Sequence, residues 1–357
     1  MNRPRRMLAL SRQTVAWMGY GGRPTRTDWR QRFQLSWQSF WFERNLALSR
    51  QLSPLSPTVD NPVFILGLWR SGTTFLHNLL NVCPALLSPT TWQCMHPSLY
   101  RLHTVTTSWN LVQRPMDSLM IDPWSPQEDE FALLALGVPS VYRGFLDPRR
   151  LPELCQWLHP DAWSLTKPAG WFETWQAFLA GVRGDRAGRL LLKSPSHTFR
   201  IRALMQAFPQ ASYVWSVRDP AELWHSNRKM WLAMFRTYAL WDWNEATLEA
   251  FLHSALCCAS QCLTLALEYL PPERLAVVDF IRLTREPVAS LRALNEHLQL
   301  ALWTDMAESV AAQARQFVQY RQDVYPPTAF PAPIQTTLDT LHRTQCRALT
   351  SHGLQWH

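Results

Sequence analysis

Residues 63–74 read VFILGLWRSGTT, an apolar run that stops at a glycine and gives way to the helix-like segment FLHNLLNV over 75–82. A short apolar stretch bounded by glycine reads as a buried strand, and the spacing of apolar residues from Thr73 to Val82 predicts a helix. Strand, glycine-bearing loop and helix in that order form an anion site, because the helix start presents unpaired N–H groups and the positive end of its dipole. Gly67 and Gly72 stand at the G-x-x-x-x-G spacing of a nucleotide-triphosphate loop. Thr73 and Thr74, however, occupy the places where such a loop carries Lys followed by Ser or Thr. The cation here is Arg70, inside the loop, followed by two hydroxyls. Such a loop suits one terminal group and one phosphate, with no obligatory metal.

Three further segments resemble the first strand: RLLLK (189–193), SYVWSV (212–217) and RLAVVDF (274–280). Between and after them, 199–208, 221–235 and 287–300 carry helical periodicity. Apolar strands alternating with helices predict an α/β fold, a P-loop-like parallel sheet of at least four strands flanked by helices. A long, mostly helical and Trp-rich insertion spans 86–188, where elaborations of such a scaffold shape the substrate pocket. Residues 1–58 form an N-terminal helical extension, with Trp29, Phe33, Trp37, Phe40 and Trp41 at helical spacing. That face is expected to pack on the main domain, and its Trp and Arg content also fits docking on a membrane surface. Residues 59–300 make the main domain and 301–357 a helical tail packed on it.

Composition narrows the field. With 47% hydrophobic residues among 357, the chain can bury a large core. A net charge of +8 favours anionic partners. The arginines are spread along the chain and form no basic run, so a small phosphorylated ligand is expected and nucleic acid is not. Seven cysteines, an odd number with no paired C-x-x-C, predict reduced thiols in a cytoplasmic setting. Cys258 and Cys262 lack the further ligands that a tetrahedral metal site needs.

Beyond the loop, SVRDPAELWHSNR places Arg218 at a strand end and Ser226 eight residues later, and LLLKSPSH places Lys193 at the end of another strand. With RSGTT at 70–74 and PQEDEFAL at 126–133, these segments resemble the sulfotransferase superfamily, in particular its bacterial family 3 branch, over roughly residues 60–300. The resemblance implies 3′-phosphoadenosine 5′-phosphosulfate (PAPS) as co-substrate and 3′,5′-bisphosphoadenosine (PAP) as product, with no metal and no redox cofactor. It assigns Ser71, Gly72, Thr73 and Thr74 to the 5′ end of the donor. Arg70 and Lys193 would neutralise the bridging oxygen and 5′-phosphate, and Arg218 and Ser226 would bind the 3′-phosphate.

Transfer to a hydroxyl or amine also needs a base within hydrogen-bond reach. Several relatives carry a Glu in a T-W-E-like context, whereas this chain reads Thr91-Trp92-Gln93. Three substitutes are offered: His197, four residues after Lys193; Glu128 on the insertion, with Asp129 as its rival; and His96. His197 is taken first and Glu128 second. The C-terminal R-K-G-x-x-G nucleotide loop of cytosolic relatives is absent, since no glycine lies between Gly188 and Gly353; Arg315 and Arg321 are available in its place. The expected acceptor is a small molecule, lipid or glycan. The competing readings are a P-loop kinase or NTPase, for which Asp279 is the nearest metal-binding carboxylate, and a catalytically silent nucleotide-binding protein.

Overall fold

The computed structural model describes residues 29–50, 61–103, 111–117, 119–300, 306–317, 325 and 328–354, and the side chains of 29–38 and 317 fall outside that set. Much of the N-terminal extension therefore lies outside the described residues, together with the side chains of Trp29, Phe33 and Trp37, as does Arg321. In chain order the elements are α1 (Trp29–Arg50), β1 (Val63–Leu66), α2 (Thr73–Leu80), β2 (Leu86–Leu87), α3 (Thr91–Met95), β3 (Val112–Gln113), β4 (Met120–Ile121), α4 (Glu130–Leu136), α5 (Arg143–Leu146) and α6 (Leu151–Leu154). There follow α7 (Trp171–Arg183), β5 (Arg189–Lys193), α8 (Ile201–Ala207), β6 (Ser212–Val217), α9 (Pro220–Tyr238), α10 (Glu245–Tyr269), β7 (Leu275–Asp279), α11 (Phe280–Arg285), α12 (Pro287–His297), α13 (Ala307–Phe317) and α14 (Ala332–Ser351).

The main sheet is parallel, in the order β2-β5-β1-β6-β7. The four strands read from the sequence are its four longer members. The fifth, β2, is two residues long and begins the insertion, too short to leave a periodicity. β1 lies at the centre, with Ile65 opposite Lys193 on one side and Leu66 opposite Trp215 on the other. The loops that follow β1, β5, β6 and β7 therefore gather at one edge of the sheet, where open α/β sheets bind ligands.

Alternation along the strands sorts their side chains into two cores. Phe64, Leu66, Leu190, Leu192, Tyr213 and Trp215 face the larger one, and Val63, Ile65, Leu191, Val214, Ala276 and Val278 face the smaller. Burial on both faces explains why the strands read as continuous apolar runs. The smaller core is closed by α2, α12 and α13 through Leu76, Leu79, Leu291, Leu294 and Val310. The larger core holds α7, α9 and α10.

Helix α10 is long and apolar enough, by length and composition, to cross a membrane. Here it is a core helix: Leu248, Phe251, Leu252, Ala255 and Leu256 are buried, and Ser260 and His253 hydrogen-bond to Thr344 and Thr337 of α14. On α1 the structure corrects the expected packing face. Phe42 is buried at 2% exposure, whereas Phe40 and Trp41 are 45% and 38% exposed. Arg44 covers the Trp41 ring at 5.0 Å. The insertion is mostly helical but also contains the antiparallel hairpin β3–β4, which the sequence reading did not anticipate.

Phe64 anchors the larger core under the central strand. Its ring stacks on Tyr213 at 5.5 Å and meets Phe208 at 5.7 Å and Trp175 at 6.2 Å. Phe64→Ala is expected to destabilise the fold by about 3–5 kcal/mol in denaturant unfolding. Phe40→Ala, on the exposed face of α1, is expected to stay within about 0.5 kcal/mol.

Candidate active site

The loop between β1 and α2 is held from beneath through its carbonyl oxygens. Gly67 O accepts from Thr198 Oγ1 (3.0 Å), Leu68 O from Ser71 Oγ (2.8 Å), Trp69 O from Asn227 Nδ2 (2.8 Å), Arg70 O from Arg218 Nη1 (2.9 Å) and Ser71 O from Ser216 Oγ (2.5 Å). Five successive carbonyls are thus engaged by β6, α9, the turn after β5 and the loop itself. At the head of α2 the first N–H groups have no partner within the helix, and no side chain caps them. With the acceptors engaged below and the N–H groups of the first turn of α2 outside the helix's own hydrogen bonds, the loop is a cradle for an anion.

Two residues carry its bends. Gly72, the N-cap of α2, has φ +92°, and a Cβ there would overlap the ring of Phe280. Arg70 adopts the left-handed region with a side chain, at φ +69°, a conformation that costs energy outside glycine. Its carbonyl is pinned by Arg218, and its guanidinium Nε donates to Ser226 Oγ at 3.1 Å. Arg70, Arg218 and Ser226, far apart in sequence, therefore meet at one place. Arg218 Nε also donates to Glu222 at 2.8 Å, and the guanidinium lies 4.9 Å from the centre of the Phe280 ring.

Opposite this group stands Lys193, at the end of β5. Its Nζ is 3.3 Å from Thr74 Oγ1 and 2.5 Å from Glu128 Oε1. Burial pulls the ammonium below the ordinary lysine range, and Glu128 opposes that pull. The second oxygen of Glu128 accepts from the Tyr142 hydroxyl, which in turn accepts from Trp69 Nε1 at 3.0 Å. Burial, together with the Glu128 charge, pushes the Tyr142 phenol up, so that it remains a donor.

Glu128 is one of three consecutive acids, each joined to a different base from the segment 193–200. Asp129 meets His197 Nε2 at 2.9 Å, and Glu130 meets Arg200 at 2.5 Å. Asp129 also accepts from Trp175 Nε1 at 2.6 Å. Burial pushes the Asp129 carboxyl up, but the His197 charge and the hydrogen bonds from His197 and Trp175 outweigh it and hold the group below its ordinary value.

A cavity of about 970 Å³ opens over these groups. One side is polar, with Arg70, Gly72, Thr73, Thr74, Arg114 and Arg218 on its wall; the other is apolar, with Phe131, Leu134, Phe145, Leu146, Met230 and Met234. Glu128 and Tyr142 also line it and join the two sets, since the Tyr142 hydroxyl donates to Glu128 and its ring meets Phe131 at 5.2 Å and Phe145 at 4.8 Å.

Residues 62–305 match the model of the sulfotransferase family. This chain belongs to that family. The sulfotransferase is 31% identical, over 272 residues, to proteins of Mycobacterium bovis and Mycobacterium tuberculosis named omega-hydroxy-beta-dihydromenaquinone-9 sulfotransferase Stf3; the match covers 74% of this chain and 67% of theirs. Among solved structures it resembles sulfotransferase STF9 from Mycobacterium avium, with a TM-score of 0.61 and 19% identity over 88% of this chain and 81% of that one. It also resembles STF1 from Mycobacterium tuberculosis H37Rv, with a TM-score of 0.58 and 18% identity over 94% and 92% of the two chains. Both likenesses concern the fold. Family membership removes the kinase and silent-protein readings; Asp279 serves as the N-cap of α11, accepting from Arg282 N at 3.0 Å.

The structure redistributes several expected roles in this sulfotransferase. His197, first choice as base, is fully buried behind Glu128, bonded to Asp129 and edge-on to Phe64 at 5.9 Å. Its turn faces the core, so four residues of separation from Lys193 do not bring it to the cavity. The Ser71 hydroxyl, expected at the donor, closes the loop internally on Leu68 O. Arg70, expected beside Lys193, sits with Ser226. Gln93 forms a capping box with Thr90, each side chain accepting from the other's backbone N–H. His96 lines the cavity stacked on Trp92 at 4.3 Å, and burial lowers its pKa. Arg315 of α13 lines the polar side. Tyr142, Arg114, Asp117 and Phe280 escaped the sequence reading. Phe280 alone had a signal, its place just beyond a strand end.

Gly72→Ala combines a left-handed backbone with overlap on Phe280 and is expected to cost about 2–4 kcal/mol in thermal or denaturant unfolding. Gly170→Ala, at φ +77° with nothing within 4 Å of the added carbon, isolates the backbone contribution and is expected to cost about 1–2 kcal/mol.

Proposed function

We propose that this sulfotransferase moves the sulfuryl group of PAPS to a hydroxyl on an apolar, lipid-like acceptor, with Glu128 as the base. The observation that carries the reading is the junction of Lys193, Thr74 and Glu128: a cation, the phosphate loop and a carboxylate within 3.3 Å contacts, with Thr74 and Glu128 on the cavity wall. The N–H groups at the head of α2 and the hydroxyls of Thr73 and Thr74 receive the 5′ end of the donor. Arg218 and Ser226, joined through Arg70, receive the 3′-phosphate, and Phe280 offers a ring face beside them.

The acceptor oxygen attacks sulfur in line with the bridging oxygen of the donor. A new S–O bond forms, the S–O bond to the bridging oxygen breaks, and its electron pair leaves with bisphosphoadenosine. Lys193 and the loop N–H groups neutralise that charge as it develops. The acceptor proton passes to Glu128, whose carboxylate is oriented by Tyr142 through its other oxygen. The six apolar residues opposite the loop favour a hydrocarbon body on the acceptor, in keeping with the lipid named for the mycobacterial relatives. The exposed Phe40 and Trp41 of α1 offer a contact for the membrane that holds such a lipid. The seven free cysteines fit a cytoplasmic setting.

Calorimetry is expected to show 3′,5′-bisphosphoadenosine binding more tightly than ATP with Mg²⁺; the reverse order would overturn the donor assignment. Glu128→Gln is expected to lower turnover by about 10²–10⁴-fold with donor affinity nearly retained. His197→Asn is expected to lower stability by about 3–5 kcal/mol, since it removes the imidazole partner of the buried Asp129 carboxylate and leaves it the Trp175 hydrogen bond, while turnover per folded molecule stays within about a few-fold. Measuring kcat alongside the unfolding midpoint separates the two, and a fully active Glu128→Gln enzyme would remove Glu128 as the base.

A further inference from the structure

The hairpin β3–β4 brings two charged side chains to the phosphate loop. Its turn is closed by Arg114 N donating to Leu119 O at 3.0 Å and by Leu119 N donating to Asp117 Oδ1 at 3.2 Å. From this frame Arg114 Nη1 reaches to 3.4 Å from Thr74 Oγ1, and its Nε lies 3.3 Å from Met116 Sδ. Asp117 Oδ2 lies 3.1 Å from Arg114 Nη2 and 3.0 Å from Arg70 Nη1. The side chains of Arg114 and Asp117 are 16% and 7% exposed, and all three residues line the cavity.

One carboxylate thus bridges two guanidiniums that belong to two different parts of the site. Arg70 leads to Ser226, and Arg114 leads to Thr74, which in turn meets Lys193. The charge of Arg114 is felt at Lys193, where it adds to the downward pull of burial. Arg70, Arg114 and Lys193 face two carboxylates, Asp117 and Glu128, and the positive end of α2. That surplus of positive charge calls for a further anion. A carboxylate between two arginines also occupies the position that a phosphate would take, since both anions accept from paired guanidinium N–H groups.

We propose that Arg114 is a further ligand of the donor's 5′-phosphate, delivered to the phosphate loop by the β3–β4 hairpin, and that Asp117 holds the anion position until the donor displaces it. The assignment rests on the donor reading given above. Arg114 belongs to the 5′ end because its loop neighbour is Thr74, beside Lys193, whereas the 3′ set of Arg218 and Ser226 is reached by Arg70. The transferred group would lie beside Arg114 and Lys193, two cations that approach the same Thr74 hydroxyl.

The test uses the full chain and calorimetry with three nucleotides: adenosine 3′,5′-bisphosphate, adenosine 5′-monophosphate and adenosine 3′-monophosphate. Arg114→Ala is expected to weaken the bisphosphate and the 5′-monophosphate by about tenfold to a hundredfold, the loss of one charge-assisted hydrogen-bonding partner, and to leave the 3′-monophosphate within about twofold. Asp117→Asn is expected to tighten the bisphosphate by about threefold or more, a gain that a damaged fold cannot produce. Equal loss for all three nucleotides in Arg114→Ala, or no loss for any, overturns the assignment of Arg114. Weaker binding by Asp117→Asn overturns its place-holding role. A wild-type protein that binds none of the three overturns the donor reading itself, and is distinguished by failing before any variant is made.

Discussion

The site depends on the direction in which one loop faces. A peptide unit carries a donor and an acceptor pointing opposite ways, so a loop that is to cradle an anion must turn its carbonyls away from it. Here the five carbonyls from Gly67 to Ser71 are each engaged, Leu68 O by Ser71 of the loop itself and the other four by partners from the end of the neighbouring strand β6, from α9 and from the turn after β5. The loop therefore cannot be oriented by its own sequence alone. It is set by the parallel pairing of β1 with β5 and β6, which places Thr198, Ser216, Arg218 and Asn227 around it. Gly67 reflects the same closeness, because a Cβ there would stand 2.7 Å from Ser216 O.

A second constraint is electrostatic and orients Glu128, the proposed base. The acids 128–130 and the bases 193, 197 and 200 form three hydrogen-bonded acid–base pairs, two of them sealed from solvent. Buried pairs of this kind contribute little net stability, since desolvation offsets their attraction. Their effect is on position: removing either partner of the inner pairs leaves a buried charge, so the start of α4 cannot slide along the 193–200 segment. Glu128 is the outermost of the three and the one that reaches the cavity. Its inner neighbours fix where it stands, and Tyr142 with Trp69 fixes how its carboxylate is turned.

The same geometry shows why part of the site was legible in the sequence and part was not. Strand runs such as SYVWSV and the R-S-G-T-T loop depend on local sequence, so the sheet, the loop and the strand-end residues Lys193 and Arg218 could be read directly. The base could not. His197 lies close to Lys193 along the chain, but the chain makes a tight helical turn from Pro195 to Arg200, and its direction is decided by Asp129, 68 residues earlier. Glu128 reaches Lys193 across 65 residues, a pairing that no local period encodes. The hairpin strands β3 and β4 are two residues each, shorter than any alternation that could reveal them.

These parts divide the site into a rigid floor and a roof of different character. The floor consists of strand ends and buried pairs, in which Arg70 is held by Ser226, Lys193 by Glu128 and Glu128 by Tyr142. The roof is the β3–β4 hairpin, tied to the floor through Asp117 and its two arginines and through the 3.4 Å approach of Arg114 to Thr74. Contacts of that kind are exchangeable: a phosphate can replace a carboxylate between two guanidiniums without moving either cation far. The bonds beneath the loop are not exchangeable in this way, because each closes a backbone carbonyl that would be left buried without it at a cost in desolvation. Ligand exchange is therefore confined to the roof, while the floor keeps the loop N–H groups, Lys193 and Glu128 in fixed relation through it.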